Sequence, residues 1–325
     1  MRILVLHLDA DSQAPPEIED SILTSKHIRE ALLPRGHVVE LAPFDPDYER
    51  LAATVTAFKP DIVFNMVEHA MGQDQLSAVA PAYLEQMGIP YTGAGPASIV
   101  STCDKPFAKE IMRAAGLPTP EWAVGPFWKG LKADKKYIVK SSTEDASLGL
   151  DDGSVVFGAD VPARAEKCFK EYGGRWFAEV YVEGREFNIS VIENGAGPKV
   201  LPLAEIQFVD WNPEKPRIVG YACKWDDTSE ESKGSARVFG FEKENPKLAA
   251  ELSKLTMDAY MLFGNRGFAR IDFRVDERDN PLILEVNPNP SLDVDAGFAA
   301  ACAEAGYDYG SALETIIASA LHDSA

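Results

Sequence analysis

The chain has 325 residues, 46% of them hydrophobic and 26% charged, with 24 Gly and 22 Pro. That is the composition of a soluble globular protein long enough for two or three packed units, and it excludes disordered, collagenous and fibrous classes. Lys and Arg number 32 against 51 Asp and Glu, a net charge of −19, which excludes a basic duplex-binding stripe and leaves anionic small molecules wherever a few cations converge.

The apolar run Ile3 to Leu6 is cut off by His7 and Asp9, short of a signal peptide, and no stretch approaches a membrane span. A cytoplasmic protein without membrane or nucleic-acid partners is the expectation. Cys103, Cys168, Cys223 and Cys302 are far apart, which predicts reduced structural thiols rather than a zinc site or disulfide framework.

Arg2 to Leu8 predicts a buried parallel strand, because its apolar residues are continuous rather than alternating. A helix from Asp20 to Leu33 follows, closed by Pro34-Arg35-Gly36, then a strand from His37 to Leu41. Leu51 to Phe58 predicts a helix, Asp61 to Val67 a third buried strand, Ser77 to Met87 a helix and Ile89-Pro90-Tyr91 a last strand. The unit ends near Gly95-Pro96. Beyond it lie a helix from Asp104 to Ala115, a strand at Lys136 to Lys140 and a small-residue loop from Ser141 to Gly149. A helix from Val161 to Tyr172 and a strand from Arg175 to Val182 come next. Strands at Glu186 to Ile192 and Lys199 to Ile206, a polar loop from Asp226 to Gly234 and a helix from Pro246 to Phe263 follow. Gly267 to Val275 and Pro281 to Val286 form a hairpin around Asp276 to Asn280, and a helix from Gly310 to Leu321 ends the chain.

The chemistry concentrates in that hairpin, GFARIDFRVDERDNPLILEVNPNPSL. Strand alternation puts Arg270 and Asp272 on one face and Glu285 and Asn287 on one face of the partner. Two carboxylates and an amide oxygen are hard ligands suited to magnesium, and an arginine beside them suits phosphate or developing negative charge. The competing reading is a solvated surface hairpin; the apolar Ile271, Leu282 and Leu284 and the rigid Asn-Pro-Asn-Pro run weigh against it. Lys105 at a helix start and Lys140 at a strand end are each unremarkable alone. The Ser141 to Gly149 loop lacks the Walker pattern but suits a hydroxyl and backbone N–H lid over phosphate. Glu179 to Val182 with Glu186 suits an adenine edge and ribose hydroxyls, or an ordinary packed strand.

Taken in order, these motifs resemble the ATP-grasp superfamily and, within it, the D-alanine–D-alanine ligase group. The resemblance runs from IPYTG at Ile89 to Gly93 through the carboxy-terminal LEVNPNP. It implies an α/β amino-terminal parallel-sheet domain (1–96), then two α+β ATP-grasp subdomains (97–178 and 179–325) that hold ATP between them. Lys105 and Lys140 match the phosphate-contacting lysines, Glu179 and Val182 the adenine hinge, and Glu186 the ribose ligand. Ser147, Lys224 and Leu284 fall at further ATP-binding positions. Asp272, Glu285 and Asn287 match ligands of Mg2+, with Mn2+ an allowed substitute, and Arg270 the group that stabilises the intermediate. The implied reaction joins the carboxylate and the amine of amino acids or amino-acid-like substrates through an acyl phosphate; the alternatives are D-alanine–D-alanine ligation itself and a nucleotide-binding protein of this fold without turnover, against which the retained Arg270 weighs. Small-molecule acids and amines are the implied partners, and a homodimer is compatible with the resemblance.

The chain departs from the group around its substrates. The turn after the first strand reads His7-Leu8-Asp9-Ala10-Asp11, with Pro15-Pro16 after it, in place of a Gly-rich one. Glu19 stands as the replacement for the family's acidic residue or as a plain helix-start carboxylate. Glu68 lies where the family has L-H-G, and Asn287 to Ser291 replaces N-T-x-P-G, which leaves Glu68 and Ser291 as substrate-binding candidates. Ala146-Ser147 and Lys224-Trp225 replace Ser-Ser and Lys-Tyr, which implies a lost hydrogen bond between two loops. The five histidines are too scattered to nominate a base.

Overall fold

The computed structural model describes residues 1–8, 16–144, 146–226 and 228–322. Of the motifs above, Asp9 to Pro15, Asp145 and Asp227 lie outside them. Among the described residues three sheets organise the fold. In the first, β1 (Arg2–His7) runs parallel between β2 (Val38–Pro43) and β3 (Ile62–Asn65). Ile3, Leu4, Val5 and Leu6 are all fully buried, as a strand covered on both faces requires. The helices are α1 (Pro16–Leu32), α2 (Tyr48–Phe58) and α3 (Val79–Met87). Asp47 caps α2 by accepting from the amides of Glu49 and Arg50. Ile89-Pro90-Tyr91 does not form the expected strand: only one parallel bridge, Val63 to Tyr91, is made, and Pro90 has no N–H to extend the ladder.

Two helices link this unit to the next, α4 (Pro96–Cys103), unforeseen in the sequence, and α5 (Lys105–Ala114), capped by Asp104. The second sheet is antiparallel, in the order β4 (Trp122–Val124), β7 (Trp176–Val180), β5 (Lys136–Ser141), β6 (Val155–Phe157), and α6 (Val161–Tyr172) packs on it. The chain leaves this sheet after Val180.

The third sheet is built from β8 (Arg185–Asn194), β9 (Gly197–Val200), β10 (Ala204–Phe208), β11 (Ser235–Val238), β12 (Phe268–Val275) and β13 (Pro281–Asn287). Its order is β11-β10-β8-β12-β13, with β9 also on β8. The single strand expected over Lys199 to Ile206 is two, because Pro202 cannot donate to a ladder. The expected polar loop carries short helices α7 (Tyr221–Trp225) and α8 (Glu230–Lys233) at its edges, and α9 (Phe241–Glu244) follows β11. α10 (Pro246–Leu262) covers the core face, where Leu252, Ile271, Phe273 and Ile283 are fully buried.

The last helices, α11 (Gly297–Glu304) and α12 (Tyr309–His322), return to the first unit. Leu313, Ile316 and Ile317 of α12 share one core with Ile3, Val5 and Phe64 of the first sheet and Ile192 and Phe268 of the third. Arg35, paired with Asp308 and Glu314, staples the same joint. A second joint brings IPYTG onto NPNP. The Ala94 amide donates to Asn289 Oδ1 at 2.9 Å, and a Cβ on Gly93 (φ +85°) would lie 2.4 Å from that oxygen, so only glycine fits there.

Candidate active site

Alternation sends Arg270, Asp272 and Arg274 to one face of β12 while Ile271 and Phe273 enter the core. The register then sets Asp272 opposite Glu285 and Arg270 opposite Asn287, with a bulge after Asp272. The Asp272 carboxylate accepts two bonds from the Arg270 guanidinium, at 2.8 and 2.9 Å, and one from Asn287 Nδ2 at 3.1 Å. Such a fork fixes the arginine's plane as well as its charge. Arg274 forms a second pair, 3.0 Å from Glu186. Burial pushes the Glu186 pKa up against the Arg274 charge, and nearby Asp272 adds to the rise.

Glu285 is the electrostatic focus. Burial works to raise its pKa, but the positive charges of Lys105, Lys140, Lys224 and Arg270 prevail and hold it at about 2. A carboxyl held below its ordinary 4.5 stabilises the fold above that pH and loses the contribution as pH falls through the lower value. Glu285→Gln is therefore expected to lower stability at pH 7. In chemical unfolding, its deficit relative to the wild type should shrink between pH 4.5 and 2.

A buried charge node stands behind these lysines. Glu179, on β7, is 1% exposed, with one carboxylate oxygen 2.7 Å from Lys109 Nζ and the other 2.5 Å from Lys140 Nζ. Neither oxygen has an aligned hydrogen bond, so charge rather than direction holds the group. Desolvation opposes ionisation, yet the two ammonium groups outweigh it and keep the Glu179 pKa below the ordinary range. Lys109 also donates to Thr119 Oγ1 at 2.8 Å. It was missed in the sequence, although Lys105, Ala108, Lys109 and Met112 form the buried i, i+3, i+4, i+7 stripe of α5.

With Ala146 and Trp225 in place of the Ser and Tyr, the two loops are joined by other bonds. The Trp225 indole N–H donates to the Ala146 carbonyl at 3.1 Å, and the Ser147 hydroxyl donates to the Val219 carbonyl at 3.0 Å. Positive φ at Ala146 and Ser147 turns these groups toward the second loop, so the backbone replaces the family's side-chain bond. Lys105 Nζ donates to the Glu144 carbonyl at 3.1 Å and ties the loop to α5.

Lys105, Lys140 and Lys224, the Arg270, Asp272, Glu285 and Asn287 set, and the loop residues Ala146, Ser147 and Trp225 line one cleft of about 1120 Å3 between the second and third sheets, with Lys109 behind it. Every candidate read from the sequence faces it: Glu19, Glu68, Lys105, Lys140, Ser147, Glu179, Val182, Glu186, Lys224, Arg270, Asp272, Leu284, Glu285, Asn287 and Ser291. At its far end two residues the sequence did not connect meet, with His27 Nδ1 3.1 Å from Asp293 Oδ2. Beside them burial pushes the Asp20 pKa up, and the Asp293 charge adds to it. Among the described residues no cluster of three or more His, Cys, Asp or Glu could hold a metal. The set of Asp272, Glu285 and the Asn287 amide nonetheless fits magnesium, which needs one or two carboxylates when phosphate and water complete its shell.

Two α+β units closing on a lysine-lined cleft, with an acid and amide set on its floor, define an ATP-grasp architecture. The family described as D-ala D-ala ligase C-terminus matches residues 129–318, more than half of the chain. A D-alanine–D-alanine ligase of Synechococcus sp. is 28% identical over 312 residues, covering 94% of this chain and 90% of the relative. The uncharacterized protein y4sG of Sinorhizobium fredii is 28% identical over 297 residues, covering 88% and 84%. The crystal structure of D-alanine–D-alanine ligase from Bacillus anthracis complexed with ATP superposes with a TM-score of 0.77 at 20% identity, covering 100% of this chain and 98% of that one. The chain belongs to the D-alanine–D-alanine ligase family. It is an ADP-forming, ATP-dependent carbon–nitrogen ligase.

Proposed function

We propose that this ligase joins the carboxylate of one amino acid, or amino-acid-like molecule, to the amine of another through an acyl phosphate. The convergence of Lys105, Lys140 and Lys224 on Glu285, with Arg270 locked by Asp272 alongside, carries this reading. In the first step a carboxylate oxygen of the donor attacks the γ-phosphorus of ATP, the bond to the β,γ-bridging oxygen breaks and ADP leaves. In the second the amine nitrogen attacks the acyl carbon, the bond to the phosphate oxygen breaks, and the nitrogen gives up a proton. The lysines oppose the charge on the transferring phosphoryl group, and Arg270 faces the oxyanion of the second step. Asp272, Glu285 and Asn287 would hold magnesium, which when bound supplies further charge neutralisation at the phosphates.

The adenine lies against Val182 and Leu284, Glu186 reaches the ribose, and Glu179 positions Lys140. Ser147 and its loop close over the phosphates and keep water from the acyl phosphate. Glu19, Glu68 and Ser291 face the substrates. The proposed units are 1–96, 97–178 and 179–325; the last boundary falls inside β7 of the second sheet, whose end carries Glu179 to the cleft. No helix among the described residues is long and apolar enough to cross a membrane, in keeping with work in the cytoplasm, where ATP is made.

The D-alanine–D-alanine ligase relative supports a second reading, in which both substrates are D-alanine. ADP release with magnesium and ATP, across D- and L-amino acids singly and in pairs, separates the two. Turnover with D-alanine alone selects the second reading, and turnover that requires an unlike pair selects the first. Silence with every amine and acid contradicts both.

A further inference from the structure

A second cavity, of about 520 Å3, adjoins the cleft. Leu148, Leu150, Ile218 and Cys223 line both spaces and so form the partition between them. None of the residues assigned above to nucleotide, metal or substrate lines the second space, yet its size is that of a small-molecule pocket.

Its walls are two loops and three rings. One loop is the lid, from Leu148 to Asp152, and the other runs from Ile218 into α7. Their backbones touch: the Tyr221 amide donates to the Leu150 carbonyl at 2.9 Å, and a Cβ on Gly220 would lie 2.9 Å from that oxygen. On its other side the lid rests on aromatic rings. A Cβ on Gly149, at φ +66°, would lie 2.8 Å from Trp176 and 3.0 Å from Tyr172, so only glycine allows that approach. Because both loops build the pocket, parting them dismantles it.

The lining defines what fits. Tyr172, Trp211 and Tyr221 supply the rings, and Leu148, Leu150 and Ile218 the aliphatic surface. Leu148, Leu150, Trp211 and Tyr221 are each only half-buried, so an occupant would remove apolar surface from water. The carboxylates that line it are already engaged: Asp151 pairs with Arg164 at 2.8 Å, Asp152 with Lys215 at 3.3 Å, and Glu231 with the same lysine. Three carboxylates against two cations repel an anion, and their pairing leaves a cationic ligand little to gain. Rings and branched side chains favour a planar, uncharged molecule.

We propose that this pocket is a second small-molecule site, for a planar, uncharged and largely apolar compound, and that its occupant favours the closed lid. A ligand touching both loops binds the closed arrangement better than the open one, and by linkage the nucleotide covered by the lid then binds more tightly. The proposal rests on the nucleotide site and lid of the reading above and is independent of the amino-acid substrates.

The test titrates the whole protein with prodan, an uncharged planar naphthyl ketone whose fluorescence reports an apolar site, with and without magnesium and the non-hydrolysable analogue AMP-PNP. Wild type should bind the dye saturably and at least about fivefold more tightly with nucleotide, and the dye should lower the nucleotide Kd by the same factor. Ala222→Phe fills the pocket from α7, and Trp211→Ala removes one of its rings; neither residue lines the main cleft. Each should weaken dye binding by at least about tenfold and leave the nucleotide Kd, measured without dye, within about twofold. Circular dichroism identifies a variant that fails to fold, and the other then decides. Absence of saturable binding, or unchanged affinity in the folded variants, overturns the site, as does displacement of the dye by nucleotide, which would put it in the main cleft. Dye affinity indifferent to bound nucleotide overturns the coupling. If wild type binds no nucleotide, the ATP reading falls and the coupling with it, while the two variants still decide the site.

Discussion

Arg270→Ala is expected to lower kcat by about 10³-fold while shifting the ATP KM by less than about tenfold. The guanidinium is held in plane by two bonds to Asp272, so it is fixed before any charge develops on the substrate. A preorganised donor of this kind acts on the transition state more than on bound nucleotide. Arg270→Lys keeps the charge but loses the fork, and should recover only a small part of the rate. Steady-state kinetics with ATP and with substrate varied separately checks the split, and thermal unfolding checks that Asp272, left without its main partner, has not collapsed the site. Lost ATP binding with turnover preserved contradicts the assigned role.

Glu179→Gln is expected to cost about 3–5 kcal/mol of stability, because it leaves the ammonium of Lys109 buried beside a neutral amide. Lys109 is 0% exposed and Glu179 1% exposed, so water cannot replace the lost carboxylate. Lys140, anchored on the same group, should lose its fixed position, and the ATP KM should rise together with the instability. Adding Lys109→Met removes the stranded charge, so the double variant should be more stable than the sum of the single effects by at least about 1 kcal/mol. Urea unfolding of the four proteins closes this cycle. A loss below about 1 kcal/mol in Glu179→Gln would mean that solvent reaches the node and that the lysines are positioned by something else.

The floor of the cleft was legible because strand alternation is a strict rule. Arg270 and Asp272, two apart, and Glu285 and Asn287, two apart, had to share faces, and the hairpin turn fixed which strand each pair faced. The ordered motifs from Lys105 to Asn287 carried the rest through family resemblance. What escaped notice was set by tertiary partners. Lys109 occupies a core position of an amphipathic helix, but its charge marks it as solvent-exposed until Glu179 is placed beside it. The Trp225 to Ala146 bond uses a backbone carbonyl, which a comparison of side chains misses. His27 and Asp293 are joined only because the last helices fold back on the first sheet.

The central claim is that a carboxylate is activated by phosphoryl transfer, and isotope transfer tests it most directly. The acid substrate, labelled with 18O in both carboxylate oxygens, is turned over with magnesium, ATP and the amine, and the phosphate is analysed by mass spectrometry. An acyl phosphate requires one 18O atom in each inorganic phosphate, the other label retained in the amide, and ADP as the nucleotide product. Unlabelled phosphate, or label appearing in AMP with release of pyrophosphate, would contradict the account.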